Sequence, residues 1–153
     1  MASELKLLLL VHTAATLFMT GAIFIVQIVH YPLFRFVGAD AFPAYQAAHM
    51  DAITLVVGPA MLLEAITGLL LAGAVGTNAP FTGVGALLAW VGLGLIGVAW
   101  LVTMCISVPQ HSQLMGGFDS GVHAALVASN WIRTLAWTAR AGIVLALLWI
   151  ALG

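Results

Sequence analysis

Four long apolar segments, separated by shorter polar stretches, dominate the pattern of the chain. They run over about residues 5–29, 52–75, 82–108 and 131–152. A spanning helix needs about 20 mostly apolar residues, because the hydrocarbon core of a bilayer is about 30 Å thick. The segments show no strict alternation of apolar and polar positions, which excludes the strands of a membrane barrel. The pattern predicts an all-α, integral membrane four-helix bundle that residues 1–153 form as a single domain.

Polar residues are concentrated in the connection between spans one and two and in that between spans three and four. With four spans, these two connections lie on the same side of the membrane. The opposite side has only the termini and the uncharged turn at residues 76–80. The topology therefore predicts one polar end, which gathers His30, Tyr31, Arg35, Asp40, Tyr45, His49, Asp51, Gln110, His111, Asp119, His123, Asn130 and Arg133.

Helices two and three are expected to extend beyond the bilayer at this polar end. Asp40 precedes Ala41-Phe42-Pro43, and a proline in the first turn is typical of a helix start. Helix three is expected to continue past Pro109 to Gly116. Positive charges at the polar end outnumber those at the other end, which favours a cytoplasmic polar end in a bacterial inner membrane.

The composition narrows the function classes. Hydrophobic residues make up 63% of the chain and charged residues only 6%, where a soluble domain has about 25% charged residues. The net charge of −1 excludes the basic surface that nucleic-acid binding requires. The single cysteine, Cys105, allows no internal disulfide, and we expect it to be a small buried side chain. We expect His123 at the surface.

Two opposite charges lie near the middle of the predicted spans, Glu64 in span two and Arg140 in span four. Either charge alone in hydrocarbon would be costly, so the two are expected to pair or to share a network. One interpretation is a buried ion pair that fixes helix register; the other is a polar centre for a substrate, proton or cofactor. A polar stripe leads to Arg140 along one face of span four, and a second stripe follows span one. These stripes consist of Asn130, Arg133, Thr134, Trp137 and Arg140, and of His12, Thr16, Thr20, Gln27 and Tyr31.

Three histidines are candidate metal ligands, because His30, His49 and His111 end three different spans at the polar end. Imidazole suits copper, iron and zinc, and two of the rings on facing helices would suit axial ligation of a haem. The chain has no HxxxH, HExxH or ExxH motif on a helix. The alternative is that these histidines bind no metal and simply lie at the solvated interface of the membrane.

Two segments in the last third of the chain resemble the anthrone-oxygenase-like family of small four-helix membrane proteins. Residues 108–114 read Val-Pro-Gln-His-Ser-Gln-Leu, and residues 130–134 read Asn-Trp-Ile-Arg-Thr. The family has a Val-Pro-x-x-x-x-Leu segment after span three and a Trp-x-x-x-x-Arg-Thr type segment at the start of span four. Where it has Asn after the proline, this chain has Gln110-His111. The first half is similar to bacterial four-helix membrane proteins. The resemblance implies the fold and an oxidation of a hydrophobic aromatic substrate.

Two function classes follow from these observations. The first is a redox or oxygenase-type membrane enzyme that acts on a lipophilic substrate at the polar end. The second is a non-enzymatic helical subunit, structural or transport-associated, whose polar residues form a packing network. Expected partners are membrane lipids, a lipophilic small molecule, and a second copy or another membrane subunit. For the enzyme, the candidate catalytic residues are His30, Glu64, Asn130, His111 and Arg133, and the candidate cofactor-binding residues are Tyr31, Arg133 and Arg140.

Overall fold

The computed structural model describes residues 3–75 and 82–152 and folds them into four long helices. These are α1 (Ser3–Phe36), α2 (Phe42–Gly73), α3 (Val84–Leu114) and α4 (Ser120–Leu152). The described residues contain no strand, and each helix is long and apolar enough to cross a membrane. The prediction of an all-α membrane bundle is therefore confirmed, while the turn predicted at residues 76–80 lies outside the described residues.

All four helices are longer than a bilayer is thick. Their 31–34 residues correspond to about 46–51 Å, against about 30 Å of hydrocarbon. As predicted, α2 begins with Pro43 in its first turn, at Phe42, and α3 continues past Pro109. α3 ends at Leu114, two residues before the predicted Gly116. α1 and α4 also extend at the polar end, so only residues 37–41 and 115–119 connect the helices there.

The start of α4 differs from the prediction by about three turns, because residues 120–130 are helical rather than part of a connection. Asp119 explains where the helix begins. Its Oδ1 accepts hydrogen bonds from the backbone N–H groups of Gly121 at 2.8 Å and Val122 at 2.9 Å. An aspartate that satisfies the free N–H groups of a first turn is a favourable N-cap.

Two single turns of π-helix interrupt α1 and α3 near the polar end, at Val26–His30 and Thr103–Ser107. Pro32 and Pro109 follow them closely. Proline has no N–H, and its ring clashes with the carbonyl four residues earlier, so an unbroken α-helix is unfavourable there. The wider π turn accommodates the proline, and such turns are frequent at functional sites.

The packing places α1 and α3 each between α2 and α4, which occupy opposite corners of the bundle. Two apolar clusters form the core, one at each end. The first includes Met19, Phe34, Phe42, Leu114 and Trp137. The second consists of Leu5, Leu9, Leu71, Ala89 and Leu147. A layer of buried polar side chains separates these clusters: His12, Thr16, Glu64, Thr67 and Arg140.

Two predictions about single residues are wrong. Cys105 is exposed, because it lies in the π turn of α3 on the side away from the buried Val102 and Ser107. His123 is buried, because the earlier start of α4 places it on the helical face that packs against α1. Its Nε2 donates a hydrogen bond to the backbone carbonyl of Tyr31 at 2.8 Å.

Candidate functional site

The three histidines predicted as ligands come together at the polar end of the bundle. His30 ends the π turn of α1, His49 lies on α2 and His111 on the last turns of α3. His30 Nε2 and His49 Nδ1 are 2.8 Å apart, at hydrogen-bonding distance. The ring centroids of His49 and His111 are 5.2 Å apart. The prediction that these side chains share one end of the molecule is confirmed.

Tyr31 and Gln46 occupy the two ring nitrogens of His111. The Tyr31 hydroxyl lies 2.8 Å from His111 Nε2, and Gln46 Nε2 lies 2.8 Å from His111 Nδ1. The same amide nitrogen donates to the His111 backbone carbonyl at 3.3 Å. Tyr31, Gln46 and His111 are all buried. We call these three residues, with His30, His49 and Arg133, the histidine cluster.

Arg133 joins the histidine cluster from α4, where its guanidinium lies next to the Tyr31 hydroxyl. Its Nη1 donates to Asn130 Oδ1 at 3.1 Å. The amide of Asn130 in turn donates to Gln27 Oε1 at 2.8 Å. The aromatic face of Trp137 covers the guanidinium carbon at 5.4 Å, a cation–π contact. Asn130 thus holds the Arg133 guanidinium in place through a hydrogen bond.

Glu64 and Arg140 lie in a separate polar layer. Their predicted pairing is confirmed, with Arg140 Nη2 and Nε both 3.0 Å from Glu64 Oε1. Arg140 is seven positions, about 10 Å, from Arg133 along α4, and Glu64 is about 22 Å from His49 along α2. Within the described residues, neither contacts the histidine cluster. The structure therefore does not bring Glu64 and Arg140 into one site with the histidines.

The polar layer is saturated with hydrogen bonds. Arg140 Nη2 donates to His12 Nε2 at 3.2 Å and to Thr16 Oγ1 at 3.1 Å, and its Nη1 donates to the backbone carbonyl of Gly92. Trp137 Nε1 donates to Glu64 Oε2 at 2.9 Å. A buried polar network is stabilising when every member has partners. These bonds connect all four helices.

The three histidines are close, but they are not arranged as ligands of one ion. Across residues 3–75 and 82–152, no group of three or more His, Cys, Asp or Glu side chains is placed to hold a metal. Two nitrogens bound to one tetrahedral ion at about 2.0–2.1 Å would lie about 3.3 Å apart. His30 and His49 are instead in direct hydrogen-bond contact at 2.8 Å, which also leaves no space for a haem between them. Both nitrogens of His111 already have partners.

Three buried polar atoms of the histidine cluster remain without a hydrogen-bond partner in the described part of the chain. They are His49 Nε2, Gln46 Oε1 and Arg133 Nε. Buried polar groups are nearly always paired, so each unpaired atom requires an explanation. The sequence analysis did not identify Gln46. Its position three residues before His49 on a helix, and therefore on the same face, was the available signal.

An open apolar groove ends on the histidine cluster. It has a volume of about 360 Å³ and is lined by His30, Tyr45, Ala48, His49, Ala52, Ile53 and Val56. The groove lies along the outer side of α2, where Ala48 is exposed. A molecule outside the bundle would reach the imidazoles through the open side of this groove. We call this feature the α2 groove.

Comparisons of the chain with protein-family models, with curated proteins and with solved structures give no match.

Proposed function

We propose that this integral membrane protein is a redox or oxygenase-type enzyme that acts on a lipophilic substrate in the α2 groove. The observation that supports the proposal is the direct contact between an open apolar groove and a buried cluster of acid–base side chains. Ligand sites are typically apolar concavities with a few convergent polar groups. The groove has this composition, with His30, Tyr45 and His49 as the lining residues that carry polar groups.

The residues of the histidine cluster have the chemistry that such a reaction requires. Histidine is the commonest general acid and base, and His30 and His49 are the two imidazoles that reach the groove. Tyr31, His111 and Arg133 form a buried donor system that can stabilise negative charge on an oxygen. In this proposal Asn130 holds Arg133, while Glu64 and Arg140 hold the helices together. The resemblance to the anthrone-oxygenase-like family supports an aromatic substrate and dioxygen as the oxidant.

The test is oxidation of anthrone by the purified protein in detergent. One anthrone and one dioxygen give one anthraquinone and one water, so product absorbance and oxygen uptake should rise together. Ala48→Phe fills the α2 groove and is expected to abolish the reaction. Ala124→Phe is the matched control, because Ala124 is also exposed and lines a different groove, between α1 and α4. A wild-type protein with neither anthrone binding nor turnover, or an Ala48→Phe variant as active as wild type, contradicts the proposal.

A second candidate function is a non-enzymatic membrane subunit, and the saturated polar layer supports it. That layer fixes the four helices to one another through Arg140 and Glu64, which is what a rigid scaffold requires. Chemical cross-linking in native membranes distinguishes the candidates. A scaffold subunit should be cross-linked into a defined complex. The same complex should form when Ala48→Phe fills the α2 groove.

A further inference from the structure

Two of the four lysine and arginine side chains of the protein are exposed. Arg133 and Arg140 are buried in the bundle, whereas Lys6 and Arg35 are exposed. Both exposed cations lie on α1, and no charged residue lies between them in the sequence. They are 29 positions apart, which corresponds to about 44 Å along a helix. A bilayer with its headgroup regions is about 40–45 Å thick, so this spacing suits contact of each cation with the lipid phosphates of one leaflet.

Each exposed cation also lines an apolar groove between α1 and α4. The groove at Lys6 is small, with a volume of about 70 Å³. The groove at Arg35 is larger, with a volume of about 480 Å³, and α4 contributes Ala124, Ala128 and Trp131 to its lining. We call this larger feature the Arg35 groove. It combines one exposed positive charge with an apolar surface, and both belong to the same concavity.

Small side chains on α4 form the floor of the Arg35 groove. Ala124, Ala128 and Trp131 follow one another at steps of four and three, so they share one face of the helix. Both alanines are exposed, and their short side chains leave room for an apolar chain over about 10 Å of α4. The indole of Trp131, which is 43% exposed, ends this floor. Tryptophan is enriched at the interface between membrane and water, where a lipid headgroup continues into its acyl chains.

The guanidinium of Arg35 has no anionic partner among the described residues. Three carboxylates are exposed at the same end of the molecule, on Asp40, Asp51 and Asp119, but none lies within ion-pair distance of it. Its carbon lies 4.8 Å from the centre of the Phe36 ring, a cation–π contact that leaves the N–H donors available. The planar fork of a guanidinium matches the oxygens of a phosphate in a bidentate arrangement.

We propose that the Arg35 groove binds an anionic phospholipid, whose phosphate pairs with the Arg35 guanidinium while one acyl chain lies over Ala124 and Ala128 against Trp131. A phospholipid supplies the anion and the apolar chain in one molecule. A zwitterionic lipid brings its own cation, which competes with Arg35, so a headgroup of net negative charge is favoured. The site shares no residue with the α2 groove, so this proposal does not rest on the proposed function.

The first test needs no variant. Purified protein in detergent receives equal amounts of dioleoyl phosphatidylglycerol and dioleoyl phosphatidylcholine, and native mass spectrometry counts the lipids that stay bound. One basic residue beside an anionic headgroup corresponds to about a fivefold preference, so phosphatidylglycerol should be retained about fivefold over phosphatidylcholine. Equal retention of the two lipids overturns the proposal. Retention of neither lipid by a dimeric protein also overturns it, and assigns the groove to a second copy of the chain.

The second test compares Arg35→Gln with Lys6→Gln, which removes the same charge at the other end of α1. Trp131 is the reporter, because brominated acyl chains quench only nearby indoles. Its contribution is the fluorescence that Trp131→Phe removes from the signal of the five tryptophans. In phosphatidylcholine vesicles, Arg35→Gln should raise about fivefold the fraction of brominated phosphatidylglycerol that half-quenches Trp131, while Lys6→Gln should leave it unchanged. No effect of Arg35→Gln, or an equal effect of Lys6→Gln, overturns the role of Arg35.

The third test fills the floor of the groove. Ala128→Phe should remove the preference for phosphatidylglycerol in the mass spectra. Ala125→Phe is the matched control and should keep it, because Ala125 is exposed on the same helix but does not line the groove. Excess inorganic phosphate, which offers the anion without the acyl chain, should not displace the lipid. An unchanged preference in Ala128→Phe, or release of the lipid by inorganic phosphate, overturns the acyl-chain site.

Discussion

The Glu64 carboxylate and the Arg140 guanidinium pair at 3.0 Å across the axis of the bundle, joining helices at opposite corners. Each side chain is about 1% exposed, and both lie between the two apolar clusters of the core. The described part of the chain offers neither charge another side chain of opposite charge within ion-pair distance. Their pairing therefore links α2 and α4 at the depth of the polar layer.

Removing one member of this pair should be far more damaging than removing both. Glu64→Gln leaves Arg140 buried without its counter-charge and is expected to lower the free energy of unfolding by about 3–5 kcal/mol. The double variant Glu64→Leu with Arg140→Leu should lower the free energy of unfolding much less, because it leaves no buried charge unpaired. Denaturation in detergent, followed by circular dichroism, measures both. Equal stability of wild type and Glu64→Gln would show that the pair contributes nothing.

Gly68 should be the least replaceable glycine of α2. A Cβ there would lie 2.5 Å from Ile96 Cδ1 and 3.1 Å from His12 Cε1, so Gly68→Ala forces Ile96 on α3 to move. Overpacking of this kind costs about 1–3 kcal/mol. Gly97→Ala on α3 is the matched control, because nothing lies within 4 Å of its Cβ position, and it should stabilise the helix by about 0.5–1 kcal/mol. The same unfolding experiment measures both; a Gly68→Ala variant more stable than Gly97→Ala contradicts the close packing.

As the N-cap of α4, Asp119 should contribute about 1 kcal/mol to the free energy of unfolding. Asp119→Ala removes the acceptor of the Gly121 and Val122 N–H groups, while Asp119→Asn retains one. We expect Asp119→Ala to speed hydrogen exchange at the first turn of α4, with Asp119→Asn close to wild type. Unchanged exchange in Asp119→Ala would mean that another group satisfies these donors.

The proposed orientation can be tested with two matched substitutions in a Cys105→Ser background. Ser112→Cys lies at the polar end and Ser3→Cys at the other end, and both serines are exposed. If the polar end is cytoplasmic, a membrane-impermeant maleimide should label Ser112→Cys only in inverted vesicles and Ser3→Cys only in intact spheroplasts. The opposite pattern would reverse the orientation.

The helix number and the shared polar end could be predicted because hydropathy and topology decide them together. Four apolar segments must alternate in direction, and this alone brings His30, His49 and His111 to one end. The pairing of Glu64 with Arg140 was predictable for a similar reason, since no other opposite charges lie at that depth. The start of α4 was not predictable in this way, because the small and polar residues 120–130 resemble a connection.

The detail of the histidine cluster depends on features that no local pattern reveals. The π turns before Pro32 and Pro109 alter the helical period, so a regular 3.6-residue repeat misplaces Cys105. Gln46 is a neutral side chain on a helix rich in alanine, and its importance comes from the His111 backbone carbonyl on another helix. Such contacts are set by tertiary packing rather than by the neighbouring sequence.

The polar layer also has a consequence for biogenesis. Glu64 is synthesised before Arg140, from which it is separated by 76 positions. When α2 reaches the membrane, its carboxylate therefore has no counter-ion. A charge near the centre of a lone membrane helix costs about 2.5–3.5 kcal/mol, and His12 on α1 lacks its arginine partner at the same stage. Until α4 is inserted, the three earlier helices therefore lack the arginine that joins them in the finished bundle. The last helix made is thus the one that completes the polar layer, and a chain interrupted before it would leave unpaired the carboxylate that the finished bundle buries.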